Sequence, residues 1–323
     1  MNGKTSTWAI VLAAGDGKRL HRLTTDHAGN AVPKQFCSLD GGASLLQETL
    51  QRALSVTDAA HTVAVVADAH RRWWGPVQET LPAGNVVVQP CNRGTGNGIL
   101  LPLLHVLNRD PEANVVILPS DHYIGNEAVL REHIRHAVRE LDRYGREIVL
   151  LGITPESPDP ELGYIQPGAT DTRGFHMVER FVEKPAPELA MELQRAGGLW
   201  NSFIMVARAQ ALLDLYAARF PEVVIAMIGA LQNDAGRSPS AGLRDFYGDV
   251  PDIDFSRHVI SGSESRLRML QVPRCGWSDL GTPERVARTL TQLPKVKRQD
   301  LRESLLPAYL DLASAHLRLQ AQI

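Results

Sequence analysis

Residues 8–20 read WAIVLAAGDGKRL, an apolar run from Trp8 to Leu12 that passes directly into Ala13-Ala14-Gly15-Asp16-Gly17-Lys18-Arg19-Leu20. A short apolar run bounded by glycines predicts a buried strand. Closely spaced glycines at its carboxyl end let backbone amides turn toward an anion, and Lys18 or Arg19 adds charge. The Walker A pattern does not fit, because it needs a glycine where Leu12 stands and Ser or Thr after the lysine. The dinucleotide fingerprint does not fit either, since its third glycine is missing. The stretch reads as a phosphate cradle of another kind or as a plain strand-end turn.

Outward from it, apolar runs at Thr62–Ala67, Asn85–Val88, Asn114–Leu118 and Ile148–Gly152 alternate with helical stretches. Ser44 followed by Gln47 predicts a capping box that opens a helix through Leu54, and Glu127–Tyr144 carries apolar residues at helical spacing before Gly145. The alternation predicts an α/β fold with a mixed, mostly parallel sheet. From Gly163 to Arg208 the pattern is less regular: Phe175–Val182 alternates like a strand, Pro187–Ala196 reads as helix and Trp200–Ala207 as extended. Beyond Pro283 the chain turns helical, with Leu301, Leu305, Leu306, Leu310 and Leu312 forming a stripe interrupted by Pro307. The expected organisation is a catalytic domain over residues 1–285, with an insertion spanning roughly 155–260, and a C-terminal helical segment over 286–323.

The 323-residue sequence has a formal net charge of -2, so any grip on phosphate is local, and bulk nucleic-acid binding is not expected. A hydrophobic share of 44% suits a soluble core and neither a disordered nor a membrane protein. Cys37, Cys91 and Cys275 lie far apart without a CxxC pair, which fits a reducing compartment. The run Trp8–Ala14 is too short to span a bilayer and ends in a glycine loop instead of a cleavage site, so a cytoplasmic protein is expected.

Three further stretches can carry chemistry. Pro33-Lys34-Gln35-Phe36 puts a lysine within reach of the glycine loop if the chain folds back. The strand ending Leu118-Pro119-Ser120-Asp121-His122 presents Asp121 where open α/β sheets collect ligands. Asp279, in Trp277-Ser278-Asp279-Leu280-Gly281, is a second candidate magnesium ligand beside a glycine that permits a tight turn. Each aspartate alone is more often a cap or turn residue, and His122 reads better as a hydrogen-bonding partner than as a base. Neither Ser120 nor Ser278 stands in a nucleophile elbow, and no His and Cys spacing suits zinc.

Taken together these stretches resemble the sugar-nucleotide pyrophosphorylases, and within them the mannose-1-phosphate guanylyltransferases. The resemblance runs from Trp8 to Arg288 through LAAGDGKRL, PKQF, QPCNRGTGNGI from Gln89, LPSDH, GYIQPG from Gly163, FVEKP from Phe181, WNSFIMV from Trp200, DFSRHVI from Asp254 and WSDLGTPERV from Trp277. It implies a three-layer, Rossmann-like nucleotide-diphospho-sugar transferase fold and transfer of a guanylyl group from GTP to mannose 1-phosphate with Mg²⁺. By the same resemblance Ala13, Ala14, Gly15, Gly17 and Lys18 would hold the nucleotide, while Gln89, Arg93, Gly94 and Thr95 would read its base. Arg19 and Lys34 would neutralise phosphate charge, and Asp121 and Asp279 would hold the metal. Gly163, Glu183, Lys184 and Asn201 would bind the sugar phosphate. Asp279→Ala is then expected to remove turnover and leave the fold intact.

The chain departs from that pattern at Lys18, at Gly96-Asn97 and at Phe203, where relatives commonly carry Thr or Ser, Ala-Pro or Ala-Ala, and glycine. No hexapeptide repeats or second enzyme are expected after Pro283, and a homodimer is a possible assembly. The alternatives are a uridylyl- or thymidylyltransferase acting on glucose 1-phosphate, or a non-catalytic sugar-nucleotide sensor. A sensor is expected to have lost Lys34, Asp121 or Asp279, and all three are present. An NAD-binding oxidoreductase would need the missing glycine and an acidic residue about twenty positions on.

Overall fold

The structure, a computed structural model, describes residues 5–21, 23–25, 29–145, 147–232 and 239–293. Nine strands form one sheet: β1 (Thr7–Ala13), β2 (Thr62–Ala67), β3 (Val86–Gln89), β4 (Asn114–Pro119), β5 (Ile148–Ile153), β6 (Tyr164–Thr170), β7 (His176–Val182), β8 (Leu199–Arg208) and β9 (Leu267–Val272). Their order is β3-β2-β1-β4-β8-β5-β9-β7-β6, with a further pairing between β8 and β6. Helices α1 (Leu45–Leu54), α2 (Gly75–Thr80), α3 (Gly94–Arg109), α4 (Glu127–Tyr144), α5 (Pro187–Arg195), α6 (Ala209–Arg219), α7 (Pro221–Gln232), α8 (Ala241–Asp249) and α9 (Pro283–Gln292) complete the described elements.

The first half is the parallel unit that its alternating runs predict: β1 lies between β2 and β4, and β2 pairs with β3, all parallel. The second half supplies the antiparallel part of the expected mixed sheet. Although β5 and β9 run parallel, β8 is antiparallel to β4, β5 and β6, and β7 is antiparallel to β6 and β9. Residues 199–208 read as extended from sequence, but the direction in which a strand re-enters a sheet depends on partners far away in the chain. Pairings of β8 with β5, β5 with β9, β9 with β7, β7 with β6 and β6 with β8 close this half on itself.

Strand alternation divides the core between two faces. On one, Trp8 and Ile10 pack with Ile99 and Leu103 of α3 and Leu212 and Tyr216 of α6. On the other, Ala9 and Val11 pack with Leu46 and Leu50 of α1 and Ile134 and Leu141 of α4. The result is the expected three-layer arrangement of helices on both faces of a sheet. Helix α1 starts as its sequence predicts, with Ser44 and Gln47 forming a reciprocal capping box. A third cluster joins Leu20 and Leu23, beyond the glycine loop, to Leu280 and to Val286 and Leu290 of α9. The leucine stripe at Leu301–Leu312 lies outside the described residues. Among the described residues no helix is long and apolar enough to cross a membrane.

Candidate active site

Strands β1 and β4 are parallel neighbours that end together, Leu12 beside Pro119. The chain leaving β1 turns through Gly17, whose φ of 62° suits glycine, and a side chain there would press on the Lys34 backbone, 3.2 Å from its nitrogen. Gln35 pins the loop by donating from Nε2 to the carbonyls of Ala13 (3.0 Å) and Gly15 (2.9 Å). The chain leaving β4 is pinned in the same way, since the Ser120 hydroxyl donates to the Leu12 carbonyl at 2.7 Å.

Lys34 is buried, as the fold-back reading requires. Its Nζ lies 2.8 Å from Oδ2 of Asp121 and donates to the Asp279 carbonyl at 2.6 Å. Three residues far apart in sequence therefore meet at the carboxyl ends of β1 and β4. Burial, the largest effect, would raise the Asp121 pKa, but the charge of Lys34, that of His122 and the hydrogen bonds to the carboxylate together outweigh it and hold the carboxyl below its ordinary range. The His122 pKa is lowered as well, because burial depresses it more than the negative charge of Asp121 raises it, so the neutral ring is favoured. It packs edge-on against Trp277, with centroids 5.4 Å apart, which suits a positioning role better than that of a base.

Asp279 has side-chain partners of its own. Its Oδ1 lies 2.9 Å from Nε of Arg285 and accepts from the Gly281 amide at 3.0 Å. Arg285, buried at the start of α9, reaches on to Asp159 at 2.8 Å. Removing the Asp279 carboxylate would leave the buried Arg285 guanidinium short of an ionic partner.

Asp121 and Asp279 line a cleft of about 320 Å³ with Gly15, Arg19, Thr95, Gly163, Glu183, Lys184 and Asn201. A recess of about 350 Å³ opens beside it, bounded by Gly17 and Lys34 and sharing Arg19 and Asp121. Arg19 is mostly exposed and lies 3.8 Å from Glu161. Also in the lining, Asn201 of β8 donates its backbone N–H to the Gly163 carbonyl at 2.8 Å. Gly163 leaves room for Glu183, since a Cβ there would lie 2.6 Å from Glu183 Oε2. Burial, and after it the negative charge of Asp254, raises the Glu183 pKa above its ordinary value.

Other expected nucleotide residues stand away from this surface. Ala13 and Ala14 are core residues. Gln89 is buried at the end of β3, where it donates to the Cys91 carbonyl at 2.7 Å. Arg93 donates to the carbonyls of Tyr247 (2.8 Å) and Gly248 (2.7 Å). Gly94 packs against Ile253, with space for no side chain. Lys18 begins a short helical turn over Lys18–Leu20, and its side chain lies outside the described residues. Sequence reasoning assigned no role to Gln35, Arg285, Asp254 or Ser256, although each falls within or beside a quoted stretch. Asp254 and Ser256 reach the cleft from the start of a short π-helical turn, Phe255–Ile260.

Two carboxylates facing one cleft offer the hard oxygen donors that a magnesium ion takes, and Lys34 and Arg285 each engage one oxygen of their aspartate. Among the described residues no group of three or more His, Cys, Asp or Glu could hold a metal ion. The pair therefore fits an ion that shares its coordination with phosphate and water, as magnesium commonly does.

A mixed sheet flanked by helices, with its cleft at the carboxyl ends of β1 and β4, defines an α/β protein whose cavity lies where open α/β sheets commonly take their ligands. The nucleotidyl transferase family model matches residues 8–295, and the chain belongs to that family. It is 34% identical over 221 residues to mannose-1-phosphate guanylyltransferase 2 of Escherichia coli O157:H7, covering 64% of this chain and 44% of that protein. It is 28% identical over 281 residues to the alginate biosynthesis protein AlgA of Pseudomonas fluorescens, covering 84% of this chain and 56% of that protein. The chain thus spans about half the length of these curated relatives. A crystal structure described as mannose-1-phosphate geranyltransferase from Thermus thermophilus superposes with a TM-score of 0.77 at 26% identity, covering 90% of this chain and 81% of that one.

Proposed function

We propose that the chain transfers a guanylyl group from GTP to α-D-mannose 1-phosphate, giving GDP-mannose and pyrophosphate. One observation carries the reading. A single cleft is lined both by Arg19, Asp121 and Asp279, with Lys34 on Asp121, and by Glu183, Lys184 and Asn201. Membership of the nucleotidyl transferase family and relatives named for mannose 1-phosphate support the choice of reaction and substrates.

In the proposed reaction a phosphate oxygen of the sugar phosphate attacks the α-phosphorus of GTP. The bond from that phosphorus to its bridging oxygen breaks, and pyrophosphate leaves. No proton has to move and no covalent enzyme intermediate forms, so the work is charge neutralisation and alignment. Lys34, already held against Asp121 and the Asp279 carbonyl, is fixed to meet charge on the α-phosphoryl. Arg19 is exposed enough to swing onto the departing pyrophosphate. Gly15, Gly17 and Lys18 turn toward the triphosphate, while Ala13 and Ala14 pack beneath the nucleoside. Thr95 borders the cleft, and Gln89, Arg93 and Gly94 shape the base-reading turn behind it.

Lys184 grips the sugar phosphate, and Glu183, Asn201 and the Gly163 backbone receive the sugar hydroxyls. Asp121 and Asp279 would hold Mg²⁺, which when bound supplies positive charge to the phosphates. The catalytic unit on this reading is residues 1–285, with residues 286–323 appended and a cytoplasmic site of action. A homodimer is the assembly to look for by light scattering.

The test is magnesium-dependent pyrophosphate release by purified protein with GTP, ATP, UTP or dTTP, each with mannose, glucose or N-acetylglucosamine 1-phosphate. GTP with mannose 1-phosphate should lead every other pair by about tenfold or more. A different leading pair overturns the substrates, and no release from any pair overturns the reaction.

A further inference from the structure

Among the described residues, Lys184 (φ 50°), Phe203 (φ 60°) and Leu280 (φ 48°) are the non-glycine residues that hold a left-handed backbone. All three border the cleft or its adjoining recess. That conformation is strained in a residue with a side chain, so it persists where its surroundings enforce it. Lys184 brings a charge to the cleft and Leu280 follows Asp279. Phe203 has no polar side-chain atom to offer.

Phe203 is nonetheless held in place. Its backbone N–H donates to Oδ1 of Asn201 at 3.1 Å, closing a turn inside β8. Its ring meets the buried ring of Phe255 edge-on, with centroids 5.9 Å apart and planes at 67°. It lines the same cleft as Glu183, Lys184, Asn201 and Asp254, a set of charged and amide groups suited to phosphate and hydroxyls. A pyranose presents both hydroxyl edges and apolar C–H faces, and an aromatic ring complements only the second.

We propose that Phe203 is a sugar-selecting residue: its ring is an apolar wall that limits the size of the sugar substituents the cleft accepts. The inference rests on reading this part of the cleft as the sugar site. A ring serving core packing alone would have no use for a position in the cleft at a backbone angle that glycine adopts freely.

The experiment compares wild type, Phe203→Gly and Phe203→Ala for kcat/KM with mannose, glucose and N-acetylglucosamine 1-phosphates, using the nucleotide that wild type prefers. Both variants open the same volume, but only glycine relieves the backbone, so Phe203→Gly should melt higher than Phe203→Ala. The ratio of kcat/KM between the wild type's preferred sugar phosphate and N-acetylglucosamine 1-phosphate should fall about tenfold or more in both variants. The nucleotide KM should stay within about twofold. Unchanged sugar ratios, whatever the melting temperatures, overturn the proposal and leave Phe203 a packing residue. A wild type that prefers another nucleotide or sugar corrects the proposed substrates, while the change in ratio still decides the role of Phe203. A wild type that turns over no sugar phosphate overturns both readings.

Discussion

Asp279 borders the cleft and at the same time forms an ion pair with Arg285, which is buried. Asp279→Ala should therefore lower turnover by at least about 100-fold and cost roughly 3 kcal/mol of stability, because it breaks a buried pair from one side. Asp279→Asn keeps groups that can accept from the Gly281 amide and fill the space. It should lose as much activity and less than half of that stability. Urea unfolding beside pyrophosphate release separates the two effects, and an alanine variant as stable as wild type would show that the Arg285 pair contributes nothing. The residues that meet here were legible to different degrees. Lys34, Asp121 and Asp279 stand in stretches whose residue types already suggest phosphate chemistry. The roles of Gln35 and Arg285 depend on which carbonyl or carboxylate lies opposite, and sequence order does not give that.

Helix α3 begins with a turn laced to the segment that delivers Asp254 and Ser256. The Gly96 amide donates to the Ile253 carbonyl at 2.7 Å, and the Phe255 amide to the Thr95 hydroxyl at 2.8 Å. Asn97 Nδ2 donates to the carbonyls of Arg93 (2.7 Å) and Pro251 (2.9 Å). Gly94 has a φ of 81°, and a Cβ on it would lie 2.3 Å from the Ile253 carbonyl oxygen. Gly94→Ala should therefore push the segment away, costing about 2–4 kcal/mol of stability and raising the sugar-phosphate KM. Chemical denaturation and steady-state kinetics check this, and a variant with unchanged stability would contradict the lacing. The Gly96-Asn97 departure from the family pattern belongs to this junction, since Gly96 leaves the space that Ile253 fills. At this scale the first half of the fold was legible because a buried parallel strand is a continuous apolar run, as Thr62–Ala67 is, and because an amphipathic helix shows helical spacing, as Glu127–Tyr144 does; both match their elements end to end. Strand β6 escaped assignment because it contains Pro167 and Gly168, which argue against a strand. Helix α7 reads apolar almost throughout, PEVVIAMIGALQ, and so shows no clean amphipathic stripe.

Across the whole molecule, two histidines outside the reaction centre set a pH dependence. Burial holds the pKa of His70 below its ordinary 6.5 against the opposing pull of Asp16, and burial with Arg109 does the same at His105. As pH falls through 6.5 the unfolded chain takes up protons that these folded-state rings refuse, so their stabilising contribution is present above pH 6.5 and is lost below it. Calorimetry should find a falling Tm as the pH drops from about 7.5 to about 5.5, with a shallower fall in a His70→Gln, His105→Gln double variant. The same fall in both proteins would assign it to other groups. With a net charge of only -2 on the chain, the grip on phosphate has to come from the few cations around the cleft. The central claim is that those cations align two phosphorylated substrates for direct displacement in one cleft. Its most direct test is the stereochemical course at the α-phosphorus, using GTP made chiral there by sulfur substitution and mannose 1-phosphate as acceptor. Inversion of configuration is the predicted result, and retention would contradict it by showing that the nucleotidyl group passes through a covalent enzyme intermediate.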